Sequence, residues 1–300
     1  MSPGAARSRR VVVTGGSGRI GGRVRPALAA AGHVVENLDL RPAADGAPTR
    51  LVDVMDIAAL RDAFAGADVI VHLGGLDMDA PCASEDFIRV NVAGGWNVLQ
   101  AAQELRVPKV VLASSVTATG LNEARPDWAP HYLPVDEAHE LRPRHPYGVS
   151  KMLLERAGAA IADAGVTEVI ALRPMLVLRP ESRDAAAARG RDPSLRSLCY
   201  HVAVEDVAQA FRRAVEVDGI GYGAFFVAAE DSYAEEPTLE RVARLWPSSR
   251  IEIRRRELFA REPRASAFDG SLARRVLGFA PRTRFHPHAL GQAHPSTSSG

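Results

Sequence analysis

The sequence predicts an α/β fold, a doubly wound parallel sheet with helices on both faces and a small lobe from the C-terminal part of the chain. Three observations predict it. Short apolar runs recur at 11–13, 33–40, 68–73, 108–114, 166–174 and 224–229, and stretches with helical periodicity separate most of them. The runs are continuous rather than alternating, as in strands covered on both faces. Several end in small residues: Gly15-Gly16, Gly74-Gly75 and Ser114-Ser115. Bare backbone at the carboxyl edge of such a sheet lets a ligand come close.

Bulk properties exclude other classes. The chain has 300 residues, 46% of them hydrophobic and 24% charged, with a net charge of +1. Nothing in that balance calls for nucleic acid or a membrane surface. No apolar run approaches the roughly 20 residues of a membrane span. The basic first ten residues lack the apolar segment of a signal peptide. Cys82 and Cys199 form neither a disulfide framework nor a metal motif, and a reducing cytoplasm is expected. The histidines near the end have no ligand spacing, so no metal is expected. Disorder is expected at 1–10 and 286–300.

In chain order, Val11-Val12-Val13 reads as a buried first strand. Gly15, Gly18 and Gly21 follow at the spacing G-x-x-G-x-x-G, which permits a tight turn with exposed N–H groups. A helix starting near Arg19 would turn its positive end toward a phosphate, with Arg19 and Ile20 in contact with it. The second strand ends at Asp39, 21 residues after Gly18, where a carboxylate suits the ribose hydroxyls of a dinucleotide. That carboxylate favours NAD over NADP because it repels a 2′-phosphate, a preference Arg41 softens. A strand at 49–52, a helix at 56–64 and a long helix at 84–106 complete the first alternation.

After Ser114-Ser115 comes a polar loop to about 144, then a helix over 147–164 that carries Tyr147 and Lys151 on one face. A phenol is too weak an acid to serve as base near neutrality unless an ammonium and a nicotinamide cation lower its pKa. With that help, tyrosine exchanges a proton with a substrate oxygen. Beyond 174 the periodicity breaks. Residues 181–196, rich in Arg, Asp and Ala, read as a mobile loop or short helices, and an amphipathic helix starts at Val204. The expected organisation is a Rossmann-like dinucleotide domain at 11–173, rejoined by 202–229, with a substrate lobe from 174–201 and 230–285.

Together these motifs resemble the extended short-chain dehydrogenase/reductase family of NAD-dependent epimerases, dehydratases and dehydrogenases. The resemblance covers about 10–281. It rests on the glycine turn, Asp39, Asp53-Val54, the run from Asp68 to Leu73, Asn91, Ser114-Ser115, Tyr147-x-x-x-Lys151, Leu172-Arg173-Pro174, Val204-Glu-Asp206-Val-Ala208 and Leu277-Gly278-Phe279-x-Pro281. It implies that Asp53 and Val54 contact adenine, and that Leu73, Gly74 and Gly75 line the pyrophosphate and nicotinamide ribose. Ser114 and Pro174 also border the cofactor. By the same resemblance Ser115 bonds the reacting oxygen, Tyr147 is the acid/base and Lys151 holds the ribose and tunes Tyr147. A small-molecule substrate and a homodimer through the helices at 84–106 and 146–164 are likewise implied.

Departures narrow the reaction. Dehydratases of the family carry Asp-Glu beside the catalytic hydroxyl, where this chain has Val116-Thr117. What remains is hydride transfer at one carbon, in a dehydrogenase or in an epimerase with tightly held NAD. A cofactor sensor without chemistry is a remote third. The compact lobe, with 29 residues between Pro174 and Val204, looks most like uronate-dehydrogenase-type members. That branch places a carboxylate-binding arginine where Arg196 stands. It uses small polar substrate contacts where this chain has Asp77, Val116 and Leu176.

Overall fold

The computed structural model describes residues 7–286, so the disorder expected for 1–6 and 287–300 falls outside the described residues. The strands are β1 (Arg10–Thr14), β2 (Val34–Asp39), β3 (Thr49–Leu51), β4 (Val69–His72), β5 (Lys109–Ala113), β6 (Tyr132–Leu133), β7 (Glu168–Pro174), β8 (Leu176–Leu178), β9 (His201–Ala203), β10 (Tyr222–Val227) and β11 (Glu252–Ile253). Seven of them form one parallel sheet in the order β10-β7-β5-β4-β1-β2-β3. The chain leaves β1 toward β2 and β3, then returns to place β4 on the other side of β1. This reversal opens a crevice beyond the carboxyl ends of β1 and β4, where Thr14 and His72 are register partners.

The helices are α1 (Gly21–Ala30), α2 (Ile57–Phe64), α3 in three consecutive segments (Ser84–Asp86, Phe87–Gly94 and Gly95–Glu104), α4 (Pro146–Asp163), α5 (Arg183–Arg191), α6 (Val204–Glu216), α7 (Thr238–Leu245), α8 (Arg256–Arg261) and α9 (Ser271–Leu277). Helices α1 and α6 pack together on one face of the sheet, and α2, α3 and α4 cover the other. Val11, Val13, Val69, Val71 and Val111 point to the first face with Val24, Leu28 and Phe211. Val12, Ile70, Val110 and Leu112 point to the second with Leu60, Phe64, Leu99 and Leu154. Successive strand residues thus meet two different cores, which explains the unbroken apolar runs. Each such side chain contributes roughly 1.5–3 kcal/mol on burial, so the double core outweighs any surface ion pair.

The remaining elements refine the expectations. The ordered chain begins before 11: Ser8 Oγ donates to Gly32 O at 2.6 Å and Arg9 pairs with Asp218 at 2.6 Å. The middle of α3, Phe87–Gly94, is wound as a π-helix. Of the two readings of 181–196, short helices hold for its first part, which contains α5. There Gly190 is required, since a Cβ would stand 2.3 Å from Tyr233 O. The pairs β6–β11 and β8–β9, and helix α8, were too short to show a period. Glu137 closes the outer edge of the sheet, accepting the Phe226 N–H at 2.8 Å in place of another strand. Near the C-terminus, buried Asp206 accepts the N–H groups of Arg282 and Thr283 at 2.9 and 3.0 Å. Buried Asp231 accepts those of Phe285 and His286 at 3.1 and 2.8 Å.

Candidate active site

The glycine turn sits at the crevice. Gly15 has φ +70°, and a Cβ on it would lie 2.4 Å from Gly74 N, so the ends of β1 and β4 touch through backbone. A Cβ on Gly21 would lie 2.5 Å from Gly16 Cα, which packs the helix start onto the turn. Helix α1 begins at Gly21 with Ile20 as its N-cap, close to the expected start near Arg19. Gly18 N donates back to Gly15 O at 3.1 Å. Asp39 ends β2 with its carboxylate fixed by Ser17 N at 3.0 Å and Arg41 N at 3.2 Å.

Sequence reasoning missed what braces this turn. Arg25, 7% exposed, donates through Nε to Gly16 O at 2.6 Å and pairs with Asp45 at 2.9 Å. Asn37 donates to Ser17 Oγ at 3.1 Å and to Thr49 Oγ1 at 2.8 Å. The signal was an arginine one turn after the glycines, between the apolar positions Val24 and Leu28 of α1.

The loop after β4 completes the crevice wall. Leu73 N and Gly74 N donate to Thr14 O and Oγ1 at 2.9 and 3.4 Å. A Cβ on Gly75 would lie 2.7 Å from Asn91 Oδ1, which accepts Leu76 N at 2.7 Å. Val54 packs beside Gly74 and Gly94, while exposed Asp53 accepts Met55 N at 2.9 Å.

Three segments bring the reacting groups together. Ser115 leaves β5 into a short helical turn, Val116–Thr119, and its Oγ accepts Thr117 N at 3.2 Å. Helix α4 starts one residue before Tyr147, capped by His145 Nδ1, which accepts Tyr147 N at 3.2 Å. The Phe87 ring meets Tyr147 edge-on at 5.9 Å. Lys151 follows one turn later, its Nζ 5.5 Å from the Tyr147 ring centre and 2.9 Å from Ala113 O, to which it donates. Pro174 ends β7 on the same edge of the sheet.

Burial dominates the electrostatics. The Tyr147 phenol is pushed up to about 12 by burial, with Asp79 adding and with the Ser115 hydrogen bond and Arg19 opposing. The lowering expected for this phenol requires the nicotinamide cation as well as the ammonium, and it would act against this desolvation. Lys151 itself is pushed down to about 8 by burial, against the field of Glu155. Buried His72 is lowered to about 3 by burial and then by Lys151, so it is neutral. It shares a 2.7 Å hydrogen bond with Thr14 Oγ1.

Lys151 has a further distinction. The chain has 37 basic residues, of which only Lys109 and Lys151 are lysines. Both are buried, at 1% and 6% exposure, and every cation on the surface is arginine.

Three residues expected at the ligands have protein partners. Arg196 donates through Nε to Ala124 O at 2.9 Å and through Nη2 to Leu245 O at 3.1 Å, which ties two loops together. The Ser114 hydroxyl donates to Glu155. Exposed Asp77 pairs with Arg19. Of the other two residues expected at the substrate, Val116 is 3% exposed, and Leu176, at 36%, is open to a ligand.

Residues 11–227 match the model of the NAD dependent epimerase/dehydratase family, from the first strand through β10. The chain belongs to that family. It is an enzyme of the extended short-chain dehydrogenase/reductase type, as the sequence motifs imply. An L-arabinose 1-dehydrogenase (NAD(P)(+)) of Haloferax volcanii is 29% identical over 69% of this chain and 82% of its own length. A uronate dehydrogenase of Pseudomonas putida is 26% identical over 74% of this chain and 77% of its own. In fold, the chain is similar to a UDP-glucose 4-epimerase from Brucella ovis in complex with NAD, with TM-score 0.65 and 23% identity over 91% of this chain and 94% of that one.

Proposed function

We propose that this enzyme is an NAD-dependent dehydrogenase that moves a hydride between nicotinamide and a carbinol or carbonyl carbon of a small, sugar-like substrate. The observation that carries the reading is the cluster of buried Ser115 and Lys151 with half-buried Tyr147 at the carboxyl edge of the sheet, with Val116 and Thr117 where dehydration would need an acid and a base. The crevice fits a dinucleotide: its backbone is bare at Gly15 and Gly74, and Asp39 is fixed at its lip for ribose hydroxyls. Asp39 also supports NAD over NADP, since a 2′-phosphate beside it would be repelled.

When bound, the oxidised nicotinamide supplies a hydride acceptor and a positive charge. The protein supplies the proton path. Tyr147, protonated near neutrality, gives its proton to a carbonyl oxygen in reduction and must lose it first in oxidation. Ser115 holds that oxygen against the phenol, and Lys151 is braced on Ala113 O beside them.

Between the two kinds of relative, a neutral sugar is better supported than a uronate. Arg196 is held by carbonyls, and Asp77 and Asp79 stand near the mouth. The test is to desalt the enzyme, assay it for carried-over cofactor, and follow NADH with L-arabinose and with a uronate. NADH formation faster with the neutral sugar supports the reading. Retained NAD with inversion of a sugar centre and no net NADH would replace it with an epimerase.

Ile88, Trp96 and Leu153 are large apolar side chains at 40%, 44% and 38% exposure on the adjacent helices α3 and α4, and they support a homodimer through that face. The free thiols of Cys82 and Cys199 fit a reducing cytoplasm.

A further inference from the structure

Behind the reacting groups lies a charged cluster that the mechanism above does not use. Glu155 is one helical turn beyond Lys151 on α4 and is 2% exposed. Arg173, near the end of β7 and 4% exposed, grips it with a two-pronged fork: Nε donates to Oε1 at 2.8 Å and Nη2 to Oε2 at 2.7 Å. The Ser114 hydroxyl donates to the same Oε1. The guanidinium also lies 5.4 Å from the Phe226 ring centre on β10. One carboxylate therefore joins the ends of β5 and β7 to the helix carrying Tyr147 and Lys151.

Packing alone does not require this. A buried ion pair loses two hydration shells, and an apolar pair of similar volume holds a core as well or better. Its location supplies a reason. Lys151 donates to Ala113 O, the residue before Ser114, so the ammonium and the carboxylate grip neighbouring residues of one strand end. The other groups around Lys151 carry no negative charge near neutrality: His72 from β4 is neutral, Tyr147 on its own helix keeps its proton and Ser115 is a hydroxyl. Around Glu155, Tyr222 on β10 is held protonated, and Arg173 faces Glu137 on its far side.

We propose that Glu155 is a positioning residue for Lys151: its carboxylate, oriented by Arg173 and Ser114, keeps the ammonium charged in a buried place and fixes it against the strand that presents Ser115. The proposal rests on the role given to Lys151 above. It also accounts for the residue type. An ammonium is compact enough to sit between Tyr147 and Ala113 O, in a chain that uses arginine at every exposed basic position.

The test reads the lysine directly. With only two lysines, protein labelled with 15N at the lysine side chains gives two ammonium signals, and Lys109 serves as the internal reference. In Glu155→Gln, which keeps the shape and acceptor but removes the charge, the Lys151 midpoint is expected to fall by about one pH unit or more. Glu155→Gln combined with Arg173→Met removes both charges and guards against a fold broken by an unpaired guanidinium. There too the midpoint stays below wild type. A Lys151 midpoint at or above the wild-type value in the folded variants overturns the proposal and leaves the cluster as a brace. The alkaline limb of the sugar-oxidation profile should move with the midpoint. If the midpoint falls while the limb stays in place, Glu155 acts on Lys151 as proposed and it is the catalytic role of Lys151 that fails.

Discussion

Replacing Gly15 by alanine isolates the contact on which the cofactor crevice depends. The new methyl would stand 2.4 Å from Gly74 N and 2.6 Å from Gly74 Cα, both backbone atoms. Reaching an ordinary 3.4 Å contact requires the turn and the loop after β4 to separate by about 1 Å. Alanine at φ +70° adds roughly 1–3 kcal/mol of backbone strain. For a chain of this size each kcal/mol lowers Tm by roughly 2–4 °C, so the protein should melt a few degrees lower yet remain folded. Separating the turn from the loop opens the backbone cradle expected to hold the pyrophosphate. Titration calorimetry with NAD should therefore show weakened binding, by roughly tenfold or more for each 1.4 kcal/mol lost. Gly22→Ala is the control. No atom lies within 4 Å of its added methyl, so NAD affinity should hold and stability should rise by up to about 1 kcal/mol. Wild-type affinity in Gly15→Ala would show that NAD is not bound where β1 and β4 meet, and the reasoning about the crevice would fail.

Four further outcomes are expected. Tyr147→Phe should lower turnover by about a thousandfold while leaving NAD affinity within a few-fold, and stopped-flow hydride transfer separates the two. Because the wild-type phenol is held protonated, sugar oxidation should climb with pH from 6 to 8 while carbonyl reduction stays flat over that range, measured in both directions. Burial pushes the Glu137 carboxyl up to about 7 from its ordinary 4.5, so the folded state holds that proton more tightly. Its contribution to stability is full below 4.5 and lost as pH rises through about 7, with a ceiling of about 3 kcal/mol. Glu137→Gln keeps the bond to Phe226 N and should flatten that part of a Tm-versus-pH curve. Trp96→Glu should turn a dimer into a monomer in light scattering without lowering Tm; an unchanged mass would place the interface elsewhere.

Much of this was legible in the residues, for reasons that differ from element to element. Strands of the large sheet announced themselves because both faces are covered, and the glycine turn because only glycine tolerates a neighbour 2.4 Å from its Cβ position. Tyr147 and Lys151 were visible as a pair because a helix repeats every few residues and places them on one face. The pair behind them was not. A glutamate in a helix usually faces solvent, and nothing in the spacing of Glu155 and Arg173 brings them together. Yet an arginine inside the apolar run Val169 to Pro174 needs a buried anion, and that was a readable sign. The surroundings of Arg196 were hidden for another reason. Its place in the chain suited a substrate carboxylate, but its partners, Ala124 O and Leu245 O, belong to loops that only the folded lobe brings near. The pKa of Tyr147 also lay beyond the sequence, because desolvation depends on what surrounds the ring.

The carboxylates of Asp206 and Asp231 fix where the protein can be shortened. Each is almost fully buried, at 2% and 1% exposure, and each draws donors from the backbone of 282–286. A truncation placed just after Pro281, where the family motifs end, would strip two sealed anions of four N–H partners. A truncation after His286 would strip none of these. The two cuts differ by five residues, 282–286, and a protease or a cloning primer will meet a cooperative edge between them.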